Sequence, residues 1–394
     1  MSADSRSDRE SGVRARLRIA LISSSFAPAV GGVEEAVRQI ATGLQAVGHA
    51  VEVWTVDRDG GSCVGTVDGV TVRYLPAPLP AKSIRAIAGF AREAPSAWKE
   101  WSRAFRDFHP TIVHVHCFGP NGLYALALRQ RFGVPLLLTS HGETIADDGG
   151  VFGRSTLLRQ GLRRAIARAD AVTAPSSVVL DDLIEHYGLR RGTVIPNGVD
   201  LSVSVGSPAA TSPYLFAVGR LGRMKGFDLL VRAFATAEIH PSVRLVIGGD
   251  GPQRQRLESL VASTGVGSRV EFRGWMPTQE VADVMAGALA VVVPSRMEAF
   301  GIVALEAWRS AAPLVMTDRG GARGFVRDGV DGILIDPEDT QEFATVLRRV
   351  VEDRRLRLAL SDAGRVRVRD FSWDGIVARY EVLYAHTADP CEDS

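Results

Sequence analysis

Cysteine is scarce: three residues in 394, Cys63, Cys117 and Cys391, with no spacing that suits a disulfide framework or a thiolate metal site. That scarcity points to a reducing compartment and hence to a cytoplasmic location. Long hydrophobic runs are missing too, none approaching the roughly 20 residues that a membrane-spanning helix needs. Residues 1–17 lack the apolar segment of a secretory signal and read as a disordered lead-in. Charge of one sign is also absent. The net charge is +1, with 23 Lys and Arg against 20 Asp and Glu in residues 1–200 and 23 against 25 in residues 201–394, so neither half forms a basic nucleic-acid surface. What remains is an ordinary globular mixture, 46% hydrophobic and 23% charged, in a chain too long for one core, and two domains are the default.

Apolar runs of strand length alternate with helix-forming stretches. Strands are expected at residues 18–23, 50–55, 70–74, 112–116, 134–139, 171–174 and 194–196, then at 214–218, 243–247, 270–272, 289–293 and 314–316. Strand-helix-strand units imply parallel sheets, so the fold class is α/β with two doubly wound domains. The best linker is the stretch LSVSVGSPAATSP at residues 201–213. It sets the boundaries at 18–205 for the first domain and 212–371 for the second.

The most informative stretch is VVVPSRMEAFGIVALEA, residues 291–307. It reads as strand, loop and helix, with Glu298 in the loop and Glu306 about a turn and a half into the helix. Backbone amides at residues 301–303 would be free donors at the positive end of that helix, a ready anion site. Arg220 and Lys225 flank a glycine-containing loop after another strand and add two cations at the same sheet edge. The arrangement suits a diphosphate with hydroxyl-rich groups on either side. In the first half, Gly31-Gly32 lies at the end of the first strand, where open parallel sheets bind ligands. His114 and His116 lie in a strand, and for His114 a structural role is expected. His141, just past the next strand and followed by Gly142 and Glu143, is placed to donate to a hydroxyl or phosphate.

IPNGVD at 195–200, VGRLGRMKG at 218–226, GGDGP at 248–252 and EAFGIVALE with its Glu298/Glu306 pair resemble, in order and spacing, the retaining nucleotide-sugar glycosyltransferases of family four. The resemblance covers residues 18–385. It implies two Rossmann-like domains facing across a cleft (GT-B), the first on the acceptor side and the second holding the donor. It further implies a last helix, residues 372–386, crossing back to the first domain.

Carried over residue by residue, Arg220 and Lys225 would bind the diphosphate, Glu298 the sugar and Glu306 the ribose. Phe300, Gly301, Ile302 and Val303 would offer backbone amides, and Gly251 and Met276 would lie by the base. His141 would contact the sugar near the reacting centre, while Gly31 and Gly32 would close from the opposite domain. The resemblance implies a UDP- or GDP-sugar as co-substrate, no other cofactor and no metal. It also implies transfer of the hexosyl group to a sugar, lipid-linked or small-molecule acceptor, in glycan, glycolipid or polysaccharide biosynthesis.

One departure stands out: Gly320-Gly321-Ala322-Arg323-Gly324 has Arg323 and Gly324 where the family often has an acid. The Asp57-Arg58-Asp59 triplet has the form of a metal-binding pair from another architecture and reads as a solvated loop. Two segments could touch a membrane surface peripherally: the aromatic face of residues 97–108, and residues 154–168 with five arginines and no acid. For both, packing on the sheet with a solvated basic face is the commoner explanation. The competing functions are the same transfer to a soluble aminocyclitol, inositol or natural product, a sugar-nucleotide epimerase, and a non-catalytic nucleotide-sugar-binding protein.

Overall fold

The computed structural model describes residues 16–29, 31–57, 62–80, 84–146, 148–206 and 212–388. Most of the lead-in, Arg58, Asp59, part of the 201–213 linker and Cys391 therefore lie outside the described residues.

Two sheets organise the chain. The first contains β1 (Arg18–Ser23), β2 (Ala50–Val56), β3 (Cys63–Val67), β4 (Val70–Leu75), β5 (Ile112–His116), β6 (Leu136–Thr139), β7 (Ala171–Ala174) and β8 (Thr193–Val194). Its spatial order is β3-β4-β2-β1-β5-β6-β7-β8. Every pairing is parallel except β3 with β4. The second contains β9 (Tyr214–Val218), β10 (Arg244–Gly248), β11 (Val270–Gly274), β12 (Ala290–Val293), β13 (Leu314–Thr317) and β14 (Ile333–Ile335), all parallel, in the order β11-β10-β9-β12-β13-β14.

Parallel strands are covered by helices on both faces, so their sequences are continuously apolar. In β1, Ile19 and Leu21 enter the core on one face while Ala20 and Ile22 enter the core on the other, all four fully buried. The aromatic stretch of the Ile84–Phe108 helix is consumed in this way. Trp101 and Phe108 are buried, Trp98 and Phe105 pack partly buried against the same core, and Lys99, Arg103 and Arg106 are exposed. No helix among the described residues is long and apolar enough to cross a membrane.

Two strands were not foreseen. β3 is an antiparallel edge strand whose residues are exposed or half-buried, so it shows no apolar alternation. β14 has only three residues.

The final helix, Trp373–Ala388, returns to the first sheet. Trp373, Ile376, Val377, Tyr380 and Tyr384 are buried with Ile19, Leu21, Val37 and Ile40. The approach to the Gly32–Ala46 helix is close. A Cβ built on Gly43 would lie 2.6 Å from Val377 Cγ2. Where the chain leaves the first sheet it runs beside the segment that returns: Val199 pairs with Ser372 in a parallel bridge, and Val199 N donates to Phe371 O at 2.8 Å.

Candidate active site

Topology puts the expected site residues together before any side chain is considered. In the second sheet, β9 is flanked by β10 and β12, and in the first, β1 is flanked by β2 and β5. These are the points where the winding reverses, and the loops leaving the carboxyl ends there splay apart to form a crevice. The loop after β9 carries Arg220 and Lys225, the loop after β12 carries Glu298, and the loop after β1 ends in Gly31, with Gly32 the first residue of the helix it leads into. His141 follows β6, the neighbour of β5.

The two loops of the second half are clipped together. Arg296 makes a bidentate pair with Asp228, 2.7 Å at each oxygen, and donates from Nη1 to Arg223 O at 2.9 Å and from its backbone N to Met224 O at 2.8 Å. Gly226, at φ +66°, sits so close that a Cβ there would lie 2.0 Å from Pro294 O. Only a glycine admits this approach. The clip delivers Lys225, at the end of a single 3₁₀ turn, to Glu298: Nζ to Oε2 is 2.7 Å. Ser295 Oγ donates to the same oxygen at 2.8 Å. The Glu298 side chain is 11% exposed and that of Lys225 40%. Arg220 is exposed and makes no ion pair among the described residues; the structure brings Lys225, and not Arg220, against Glu298.

Behind Glu298 the chain enters the Ile302–Arg309 helix through Gly301 at φ +93°. Ala304 N donates to Gly301 O at 3.0 Å, while the amides of Ile302 and Val303 have no acceptor among the described residues. Phe300 is buried in the core, stacked on Phe325. Glu306 is half-buried on the same helix, and burial pushes its carboxyl above the usual range against the pull of Arg309; Glu35 of the first half pushes it the same way as burial. Gly251 lies against Leu221, and Met276 is buried beneath Gly248.

Arg323 and Gly324 belong to a 3₁₀ turn, and Arg323 is exposed and pairs with Asp318. Gly320, at φ +111°, holds the other side of Glu298: a Cβ on it would lie 2.1 Å from Glu298 O.

Among the described residues, the first half meets this site at Gly32, Gly142, Ser176 and Asp148. A Cβ on Gly32 would touch Ile302 Cδ1 at 3.7 Å. A Cβ on Gly142 would lie 2.4 Å from Ala299 Cβ, which brings the His141 loop to the residue after Glu298. Ser176 Oγ donates to Ala299 O at 2.7 Å. Asp148 accepts from Met224 N at 2.7 Å, beside Lys225. Sequence reading missed Asp148, Ser176 and Ser295, because each acquires its partner only through the fold.

Within the His141 loop, Glu143 accepts from Phe118 N at 2.8 Å, Ser140 Oγ at 3.0 Å and His141 N at 2.7 Å. His141 Nε2 lies 3.1 Å from His116 Nδ1, and burial lowers the His141 pKa to about 4. His141 is thus neutral near pH 7. His114 bonds Tyr384 and Thr139, as a structural residue does.

A cavity of about 960 Å³ among Leu17, Phe105, Phe132 and Val382 opens at the amino ends of β1, β5 and β6, the opposite pole from the carboxyl ends where such sheets bind ligands. Among the described residues no cluster of three or more His, Cys, Asp or Glu could hold a metal ion.

Residues 30–203 match the family described as Glycosyltransferase Family 4, and residues 204–367 the family described as Glycosyl transferases group 1. The chain is 32% identical over 345 residues to D-inositol 3-phosphate glycosyltransferase 1 of Catenulispora acidiphila, covering 80% of this chain and 81% of that one. It is 31% identical to D-inositol 3-phosphate glycosyltransferase of Thermomonospora curvata, covering 94% and 96%. Among solved structures, sucrose-phosphate synthase from Thermosynechococcus elongatus superposes with TM-score 0.80 at 26% identity, covering 94% and 98%. Anabaena HepE in complex with UDP superposes with TM-score 0.74 at 20% identity, covering 94% and 100%, a likeness of fold. Site geometry, two-sheet GT-B architecture and relatives agree: the chain belongs to glycosyltransferase family 4 and is a sugar-transferring enzyme.

Proposed function

We propose that the enzyme moves a hexosyl group from a nucleotide-diphosphate sugar to an acceptor hydroxyl with retention of anomeric configuration and without a metal ion. The observation that carries this reading is the Lys225–Glu298 pair, 2.7 Å apart beside the start of the Ile302–Arg309 helix. A carboxylate facing hydroxyls and an ammonium facing phosphate, held on one rigid edge, is the juxtaposition a sugar diphosphate needs. Arg220, Lys225 and the amides from Phe300 to Val303 would take the charge of the departing diphosphate, the work a divalent ion does elsewhere.

Glu298 would hold the sugar and Glu306 the ribose hydroxyls, with the base beside Gly251 and Met276. His141, neutral, would donate to the sugar, while Gly31 and Gly32 would close over the diphosphate. The leaving phosphate oxygen would take the proton of the attacking hydroxyl on the same face, so the protein supplies position and charge rather than a base.

The curated relatives are named for D-inositol 3-phosphate, which favours a small polyhydroxylated acceptor over a polymer or lipid-linked chain. The donor is a UDP- or GDP-sugar in this reading.

The test is a panel of UDP-, GDP- and ADP-sugars screened by melting-temperature rise. Nucleoside diphosphate release is then measured with and without inositol phosphates, and the product anomer is determined by proton NMR. Release that depends on acceptor, gives a retained anomer and falls by about a hundredfold or more in Lys225→Ala and Glu298→Ala is expected. Acceptor-independent conversion of the sugar, or wild-type turnover in both variants, would sink it.

A further inference from the structure

Behind His141 stands a second imidazole whose chemistry the donor reading leaves unused. Residues two apart on a strand share a face, so the His114 and His116 rings of β5 lie on one side of the sheet, 4.0 Å between centroids. Both are fully buried. His114 uses both nitrogens, bonding Tyr384 Oη and Thr139 Oγ1 at 2.7 Å each. His116 uses one: Nδ1 meets His141 Nε2 at 3.1 Å, while Nε2 is buried without a partner among the described residues. An apolar side chain would occupy this place without an unpartnered nitrogen, so what distinguishes histidine here is Nδ1.

The two rings share one proton between Nδ1 of His116 and Nε2 of His141, and burial decides its owner. Were His141 the donor, His116 would carry its own proton on Nε2 as a buried N–H with no acceptor. With the proton on His116 Nδ1, the orphan is a bare lone pair, the less costly arrangement. We propose that His116 is a positioning residue that donates from Nδ1 to His141 Nε2, fixing His141 as the neutral tautomer whose Nδ1–H remains for a substrate hydroxyl. This inference rests on His141 being a donor to the transferred sugar.

The other titratable groups facing the pair are His114 on the same strand, Glu143 beneath the His141 amide, and Tyr380 from the final helix, with Tyr384 behind His114. Burial keeps His141 at about 4 and holds His116 well below the ordinary imidazole value, so both rings stay neutral through the physiological range.

Nitrogen-15 spectra of the histidine rings report the tautomer in the free protein, and with eight histidines they are assignable by single substitutions. His116 and His141 are both expected as Nδ1–H and neutral from about pH 5 to about pH 8. In His116→Asn the side-chain amide stands where Nδ1 stood, and kcat is expected within about threefold of wild type. In His116→Leu, with folding verified by thermal melting, kcat is expected to fall about ten- to hundredfold with donor KM within about twofold. The acid limb of that variant should lie above the wild type's, because neutral His141 loses a hydrogen-bond donor while its burial remains. An Nε2–H tautomer at His141, or equal activity of the Asn and Leu variants, overturns the assignment. If His141→Ala keeps wild-type kcat, the sugar-donor reading fails instead, while the ring spectra still decide the tautomer.

Discussion

His114 shows what a single buried side chain contributes. It is enclosed, bonded at both nitrogens, and burial lowers its pKa to about 3. Replacing it with Asn strands the Tyr384 hydroxyl and leaves a void, which should cost about 2–3 kcal/mol at pH 7.5. The unfolded chain takes up a proton on this ring near pH 6.5 and the folded chain does not. The wild type therefore loses stability on this account as pH falls below about 6.5, by up to about 1.4 kcal/mol per pH unit. The deficit of His114→Asn should thus shrink between pH 7.5 and pH 5, read as converging melting temperatures, and a constant gap would refute it.

At this scale the sequence shows motif residues well. Lys225 and Glu298 are legible because their loops leave adjacent strands. Ser295, Asp148 and the free face of His116 are not legible, since their meaning depends on partners 3, 76 and 25 residues away that only folding supplies.

Elements were more legible than residues. Strands such as β1, β5, β7 and β9 fall where continuous apolar runs end in glycine or polar breaks, because both faces are covered. β3 escaped because an exposed edge strand has no buried face to pattern it. The return of the last helix was visible as a resemblance; its close seat against Gly43 was not. That seat makes a prediction against helix propensity. Gly43→Ala should gain about 1 kcal/mol as a helix former but drives a methyl into buried Val377, a stiff side chain, and should lower stability by about 1–2 kcal/mol net. In a Val377→Ala background the same substitution should raise the melting temperature. A loss in both backgrounds would show that Val377 is not the obstacle.

At the scale of the whole molecule, the halves touch at the active edge through very small groups. Ala299, 7% exposed, sits against Gly142 and accepts from Ser176. Ala299→Leu should wedge the halves apart, giving a larger radius of gyration by small-angle scattering and turnover lower by about tenfold or more. Because Lys225 and Glu298 are untouched, the melting-temperature rise on adding nucleoside diphosphate should persist. An unchanged radius with normal turnover would count against closure through this contact.

The chain passes between its halves twice, and the outgoing strand at Val199 is stitched to the returning one at Ser372. Two tethers pinned side by side behave as the knuckles of a door hinge. Side by side, they bring the only strand-type bridge between the outgoing and returning chain among the described residues to one place, so a swing of one half against the other would have its axis here.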